Sequence, residues 1–155
     1  MKDLGNNLVA VVSLAPVVAS GNATTTNSTG VDLQGFEGAF VSVASGVEGD
    51  TLAANLKYDF KLQHSDDDAT YSDAEQKDVT DVAISSGIFL TLDDNAETPQ
   101  VTGIGYIGGK RYIRVSVVRT GNHSTGTPIS INCLLYTSDA ADEGLGVDLG
   151  GRRII

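Results

Sequence analysis

The residues best suited to chemistry crowd into one short run: Asp66, Asp67 and Asp68, followed by Asp73 and Glu75. Hard divalent cations prefer such clustered carboxylate oxygens. The calcium-loop pattern nevertheless fails, because counting from Asp66 the sixth position is Tyr71 where glycine is required, and the twelfth is Lys77 where glutamate is required. A solvated hairpin tip uses the same residues, since aspartate favours turns and keeps its charge hydrated there. His64 and His123 are the only histidines, and no nucleophile elbow presents a serine to either. His64 is expected to cap or hydrogen-bond at the end of a strand beside the aspartate turn.

Gly103-Ile104-Gly105-Tyr106-Ile107-Gly108 matches G-x-G-x-x-G. That fingerprint holds a pyrophosphate only when the glycine turn opens a helix. A segment of β period follows instead. Gly109-Lys110 hints at a phosphate loop, but its spacing from Gly103 is wrong and Arg111 stands where Ser or Thr would hold magnesium. No catalytic residue, cofactor or metal is therefore expected, and the chain reads as a non-enzyme. Lys110, Arg111, Arg114 and Arg119 form a locally basic strand. Cross-strand pairing with Asp or Glu accounts for them; a self-association face meeting acidic loops of another copy is the functional alternative.

The elements that must carry these residues show a period of two. In Tyr58-Asp59-Phe60-Lys61-Leu62-Gln63-His64, Tyr58, Phe60 and Leu62 share one face and Asp59, Lys61 and Gln63 the other. Ile113, Val115 and Val117 alternate in the same way with Arg114 and Ser116. Shorter strands are predicted at Phe40 to Val43, Ile88 to Leu92, Val101 to Ile107 and Ile129 to Asn132. Turn-rich stretches separate them: Gly46 to Asp50, Ser65 to Ala69, Asp93 to Pro99 and Thr120 to Thr127. This punctuation predicts an all-β fold, a single antiparallel β-sandwich of jelly-roll type. Residues 1–30 are expected to be an amino-terminal segment with an exposed Ser/Thr-rich loop or edge strand at Gly21 to Gly30, and residues 31–132 the sandwich. Leu8 to Ala19 imitates the apolar region of a secretory signal, but Asp3, Ser13 and Pro16 spoil it, and a short helix or strand leading into the first sheet is the favoured reading.

The 155 residues suffice for one domain with a real core. Twenty acidic against ten basic residues give a net charge of −10, the wrong sign for holding a nucleic-acid backbone by counterion release. Direct nucleic-acid binding is thereby disfavoured. No run is long enough to span a bilayer as a helix, so no membrane partner is expected. Cys133 is the sole cysteine, which rules out an intramolecular disulfide.

The alternation fades after Asn132. Read as codons, Cys133 to Glu143 resembles the translation of a sequencing-library adapter, and Gly146 to Ile155 resembles the flow-cell primer that follows it, in one frame. Residues 133–155 are accordingly expected to be a non-native, unstructured read-through tail, with Cys133 to Leu135 able to continue the last strand because Cys133 falls on the apolar side.

Four segments carry a second resemblance: Met1-Lys2-Asp3-Leu4-Gly5-Asn6-Asn7, Val31-Asp32-Leu33-Gln34-Gly35-Phe36, Lys61-Leu62-Gln63-His64-Ser65-Asp66-Asp67-Asp68, and the stretch ending Lys110-Arg111-Tyr112-Ile113-Arg114-Val115. In order and spacing they are similar to small virion structural proteins of tailed bacteriophages and prophages, such as capsid decoration or head proteins. The resemblance implies a non-enzymatic homo-oligomer in the virion, assembled in the bacterial cytoplasm and bound to the major capsid or other virion proteins. Ser65-Asp66-Asp67 with Tyr71, and Arg111-Tyr112-Ile113-Arg114, also resemble discoidin-like β-sandwiches, which implies carbohydrate or lipid binding. That family has Gly after the Asp pair and Trp at the position of Tyr71, and this chain has neither.

Overall fold

Alternate side chains of an extended chain face opposite ways, so Tyr58, Phe60 and Leu62 must share a surface, and all three are completely buried. A computed structural model of the chain describes residues 4–137. Among these, eleven strands follow in chain order: β1 (Leu8–Gly21), β2 (Thr25–Asn27), β3 (Val31–Asp32), β4 (Gly38–Ser45), β5 (Lys57–Ser65), β6 (Ser72–Asp73), β7 (Val79–Thr80), β8 (Ile88–Leu92), β9 (Gln100–Tyr106), β10 (Tyr112–Thr120) and β11 (His123–Tyr136). They form an all-β sandwich of two antiparallel sheets. The first runs β1-β11-β4-β9-β7. The second has β10 and β5 at its centre, with β2 and β3 along one side and β6 and β8 along the other.

Both sheets supply the core. Val41, Val43, Ile104, Tyr106, Ile131 and Cys133 come from the first, and Tyr58, Phe60, Leu62, Ile113, Val115 and Val117 from the second, each exposed by 1% or less. Burying one such side chain contributes about 1.5–3 kcal/mol. Register fixes which residues meet: Val115 lies opposite Leu62, and Val117 opposite Phe60.

Three boundaries differ from expectation. The amino-terminal run forms a long edge strand, so the sandwich begins at Leu8 rather than Val31. β1 pairs with β11 from Leu8↔Tyr136 to Gly21↔His123, with register shifts after Val12, Leu14 and Ala19. At the other end β11 continues through Tyr136, and Cys133 and Leu135 are buried. The remainder of the expected tail, residues 138–155, lies outside the described residues, as do residues 1–3. The predicted loop from Thr120 to Thr127 shrinks to the turn at Gly121 and Asn122. The extra strand residues are stabilised by Asp50, whose carboxylate accepts from the Gly126 N–H at 2.6 Å, the Thr125 N–H at 3.0 Å and the Ser124 hydroxyl at 2.8 Å. These hydrogen bonds hold the Asp50 carboxyl below its usual range.

Candidate functional site

The carboxylate run folds as a self-contained turn after β5. Asp67 accepts hydrogen bonds from the Thr70 N–H at 2.8 Å, the Ala69 N–H at 3.0 Å and the Ser65 hydroxyl at 2.8 Å. Those donors, chiefly the two amides, hold its carboxyl down at about 2. Asp68, with φ of 58°, takes the Tyr71 hydroxyl. Asp66 pairs with Lys110, Asp73 with Lys61 at 2.7 Å, and Glu75 with Lys77. Each carboxylate thus has a partner within the chain, and no set of three or more His, Cys, Asp or Glu among the described residues is placed to hold a metal ion.

The basic strand is likewise engaged internally. Arg111 grips Asp32 with two parallel hydrogen bonds of 2.9 and 2.8 Å, and this guanidinium, first among the causes, holds the Asp32 carboxyl down at about 2. Arg114 donates to Gln63 at 3.0 Å and lies 3.9 Å from the centre of the Tyr71 ring. Arg119 reaches the Ser20 carbonyl at the end of β1. The aromatic of the discoidin resemblance therefore has one ring face covered by an arginine of its own sheet.

His64, Ser72, Asp73, Asp78 and Lys110 line a cleft of about 450 Å³ at the edge where β6 of one sheet faces β7 of the other. The His64 side chain is only 10% exposed. Its Nδ1 sits 2.9 Å from the Tyr106 hydroxyl, and that oxygen accepts the Lys110 N–H at 3.2 Å. Burial pushes the Tyr106 hydroxyl up to about 12, so it remains neutral. Asp78 is held by the Glu75 N–H at 2.9 Å, and its carboxylate stands 4.0 Å from His64 Nδ1. His123 is elsewhere, stacked on Tyr58 with ring centres 4.2 Å apart. The two histidines do not meet in one site. Cys133 is buried between β1 and β4, and burial raises its thiol to about 12, which makes it an inert core residue.

The glycine motif lies on β9, where its role is steric. A Cβ at Gly103 would overlap the Phe40 ring, and one at Gly105 would meet the Thr80 hydroxyl. The bare Gly103 leaves room for the Phe40 ring over β9 on the outside of the first sheet, and the bare Gly105 leaves room for Thr80 of β7.

That outer surface carries no motif in the sequence. None of the five strands of the first sheet contains Asp, Glu, Lys or Arg. Register sets Ala10, Leu134, Phe40 and Gly105 in one row across it, and Val12, Asn132, Ser42 and Gly103 in the next. Val12 is 60% exposed, Val18 52%, Phe40 43% and Val101 73%. The signal was present in the sequence as strands in which the polar half of the alternation is filled by Ala, Ser, Asn and Gly, with charge missing altogether.

No family model and no curated protein matches this chain. Among solved structures it is similar to a family two carbohydrate esterase from Cellvibrio japonicus, at 10% identity and a TM-score of 0.35, over 84% of this chain and 34% of that one. The chain therefore spans about a third of that enzyme's length, and a likeness this loose carries no argument about activity.

Proposed function

We propose that the chain is a non-enzymatic structural protein of a tailed-phage or prophage particle, docked on the capsid or head-to-tail region by the outer face of its first sheet. The observation carrying this reading is the uncharged, partly apolar surface formed by Val12, Val18, Phe40, Val101 and Leu134 on a chain of net charge −10. A surface without ions is covered by a protein partner at little desolvation cost, whereas every charged patch must first lose its water. It offers nothing to an anionic membrane or a phosphate backbone, both of which require cations. The virion setting comes from the resemblance of the four quoted segments.

From strand spacing and rise, the surface measures roughly 15 by 25 Å. That is small beside the approximately 800 Å² per partner of a standard interface, so firm attachment needs several copies acting together on a repeating lattice. A homo-oligomer meets that need.

The test is co-sedimentation with empty heads of the phage or prophage whose genome encodes the chain. Wild-type protein is expected in the pellet and the Val12→Lys/Phe40→Glu double variant in the supernatant. Wild-type protein remaining in the supernatant would overturn the proposal.

A further inference from the structure

The first sheet ends on β1, and the first half of that edge is open. Which backbone groups face outward follows from hydrogen bonds at the ends of the neighbouring ladders. The Gly46 N–H donates to the Pro128 carbonyl at 2.8 Å and the Glu37 N–H to the Tyr136 carbonyl at 3.0 Å, so the even-numbered residues of β11 turn their backbone groups to β4. The odd-numbered ones turn to β1, in step with the Thr137 N–H, which donates to the Asn7 carbonyl at 3.2 Å. Val9 and Val11, opposite Leu135 and Cys133, therefore bond to β11, while Leu8, Ala10 and Val12 direct their N–H and C=O groups away from the sheet. No group among the described residues answers them. Past Val12 the edge closes: the Ser13 carbonyl accepts the Thr29 N–H at 2.9 Å, the Ala19 carbonyl accepts the Tyr58 hydroxyl at 2.7 Å, and the Ser20 carbonyl accepts from Arg119.

Folded proteins guard such edges with short strands, bulges, proline or charge. The other edge strands follow that rule. β2, β3, β6, β7 and β8 each hold register for no more than three consecutive residues. β7 lies between Asp78 and Asp81, and β8 runs directly into Asp93 and Asp94. β1 holds register through five residues, Leu8 to Val12, and no Asp, Glu, Lys or Arg occurs between Asp3 and Asp32. Its register shifts and Pro16 come only after the open half.

We propose that Leu8–Val12 of one copy pairs antiparallel with the same residues of a second copy, about a two-fold axis at Ala10. Two features make the occupant a second copy. The open donors and acceptors are symmetric about Ala10, so an inverted copy presents matching groups: Ala10 meets Ala10, and Leu8 meets Val12, in hydrogen-bonded pairs. Chains of net charge −10 also repel one another except where neither brings charge to the contact, and this edge brings none. The pairing joins two first sheets into one of twice the width and their uncharged outer faces into one surface. It gives a form to the homo-oligomer of the capsid reading, yet stands on edge geometry alone.

The experiment follows the whole chain by sedimentation equilibrium and by residue-resolved amide hydrogen exchange, at concentrations up to about 1 mM, the weak end of specific association. The mass is expected to rise to that of a dimer. With it, the amides of Leu8, Ala10 and Val12 should slow about tenfold and recover on dilution, whereas those of Val9 and Val11, bonded to β11, stay protected throughout. Ala10→Pro removes the central outward donor without touching a β11 bond and is expected to be folded and monomeric; Ala10→Ser, which keeps the N–H, is expected to dimerise. A monomer at every concentration overturns the proposal, as does a dimer in which the three amides stay fast. So does slow exchange that persists on dilution, which would place a segment of the same chain, such as residues 138–155, on the edge. A folded Ala10→Pro variant that still dimerises overturns it too, and if that variant does not fold, the wild-type mass and exchange decide. A dimer that fails to pellet with heads would sink the docking reading and leave the pairing intact.

Discussion

The two outer faces of the sandwich differ in kind although the inner faces do not. Outside the second sheet, Lys61, Asp73, Gln63, Arg114 and Tyr71 form a continuous chain of ion pair, hydrogen bond and cation–π contact. Outside the first sheet there is no Asp, Glu, Lys or Arg on any strand. A network that spends its charges internally is suited to facing water; a surface with none to spend is suited to being covered. The sandwich thus has one outer face rich in charge and one without it, and period-two alternation is equally compatible with both.

If the difference is confined to the outside, breaking either inner face should cost the same. Val41→Asp in the first sheet and Val115→Asp in the second each bury an unpaired carboxylate and are expected to cost at least about 4 kcal/mol, read from urea unfolding. One variant with near-native stability would show that its sheet is not part of the common core.

Acid should act through the charged second sheet. Asp32 and Asp67 have folded-state values near 2, held there by Arg111 and by the Thr70 and Ala69 amides respectively. The unfolded chain, with carboxyls near about 3.9, binds more protons as pH falls. Their stabilisation is complete above about pH 4 and is lost as pH falls through about 2. Urea midpoints measured from about pH 5 to pH 2 should fall, and the Asp32→Asn/Asp67→Asn variant should show a shallower decline; equal slopes would place the acid sensitivity elsewhere.

Smaller effects sharpen the contrast. Asp73→Ala removes the partner of Lys61 and Gln63 and is expected to cost about 0.5–1 kcal/mol at low salt and less at high salt. Smallest is Val12→Lys on the uncharged face, expected to change stability by less than about 0.5 kcal/mol without salt dependence. Its consequence belongs to the proposed head binding, so a large loss of stability would mean that Val12 is packed rather than presented.

Much of this was legible beforehand in particular residues. Tyr58, Phe60 and Leu62, and Ile113, Val115 and Val117, declared their buried faces by alternation. The hairpin reading of Asp66 to Asp68 rested on turn chemistry that local hydrogen bonds within the turn bear out. The chain between Thr120 and Thr127 was misread because its Ser, Thr and Gly signal a loop, while the Asp50 carboxylate, distant in sequence, supplies the hydrogen bonds that hold it extended. Leu8 to Gly21 carries too little alternation to announce a strand; its edge position leaves exposed side chains on both faces.

By itself the sequence determined the β class, the core side of each central strand and the absence of charge from five segments, because these depend on side-chain type and a period of two. Only tertiary structure decided that those five segments lie together in one sheet. It also decided that the basic strand meets its carboxylates and arginine-covered tyrosine within the same molecule, and that His64, Asp78 and Lys110 share a cleft. Such pairings join distant residues, Arg111 with Asp32 across 79 positions and Arg119 with Ser20 across 99, and local preference carries no record of which distant strand will lie alongside.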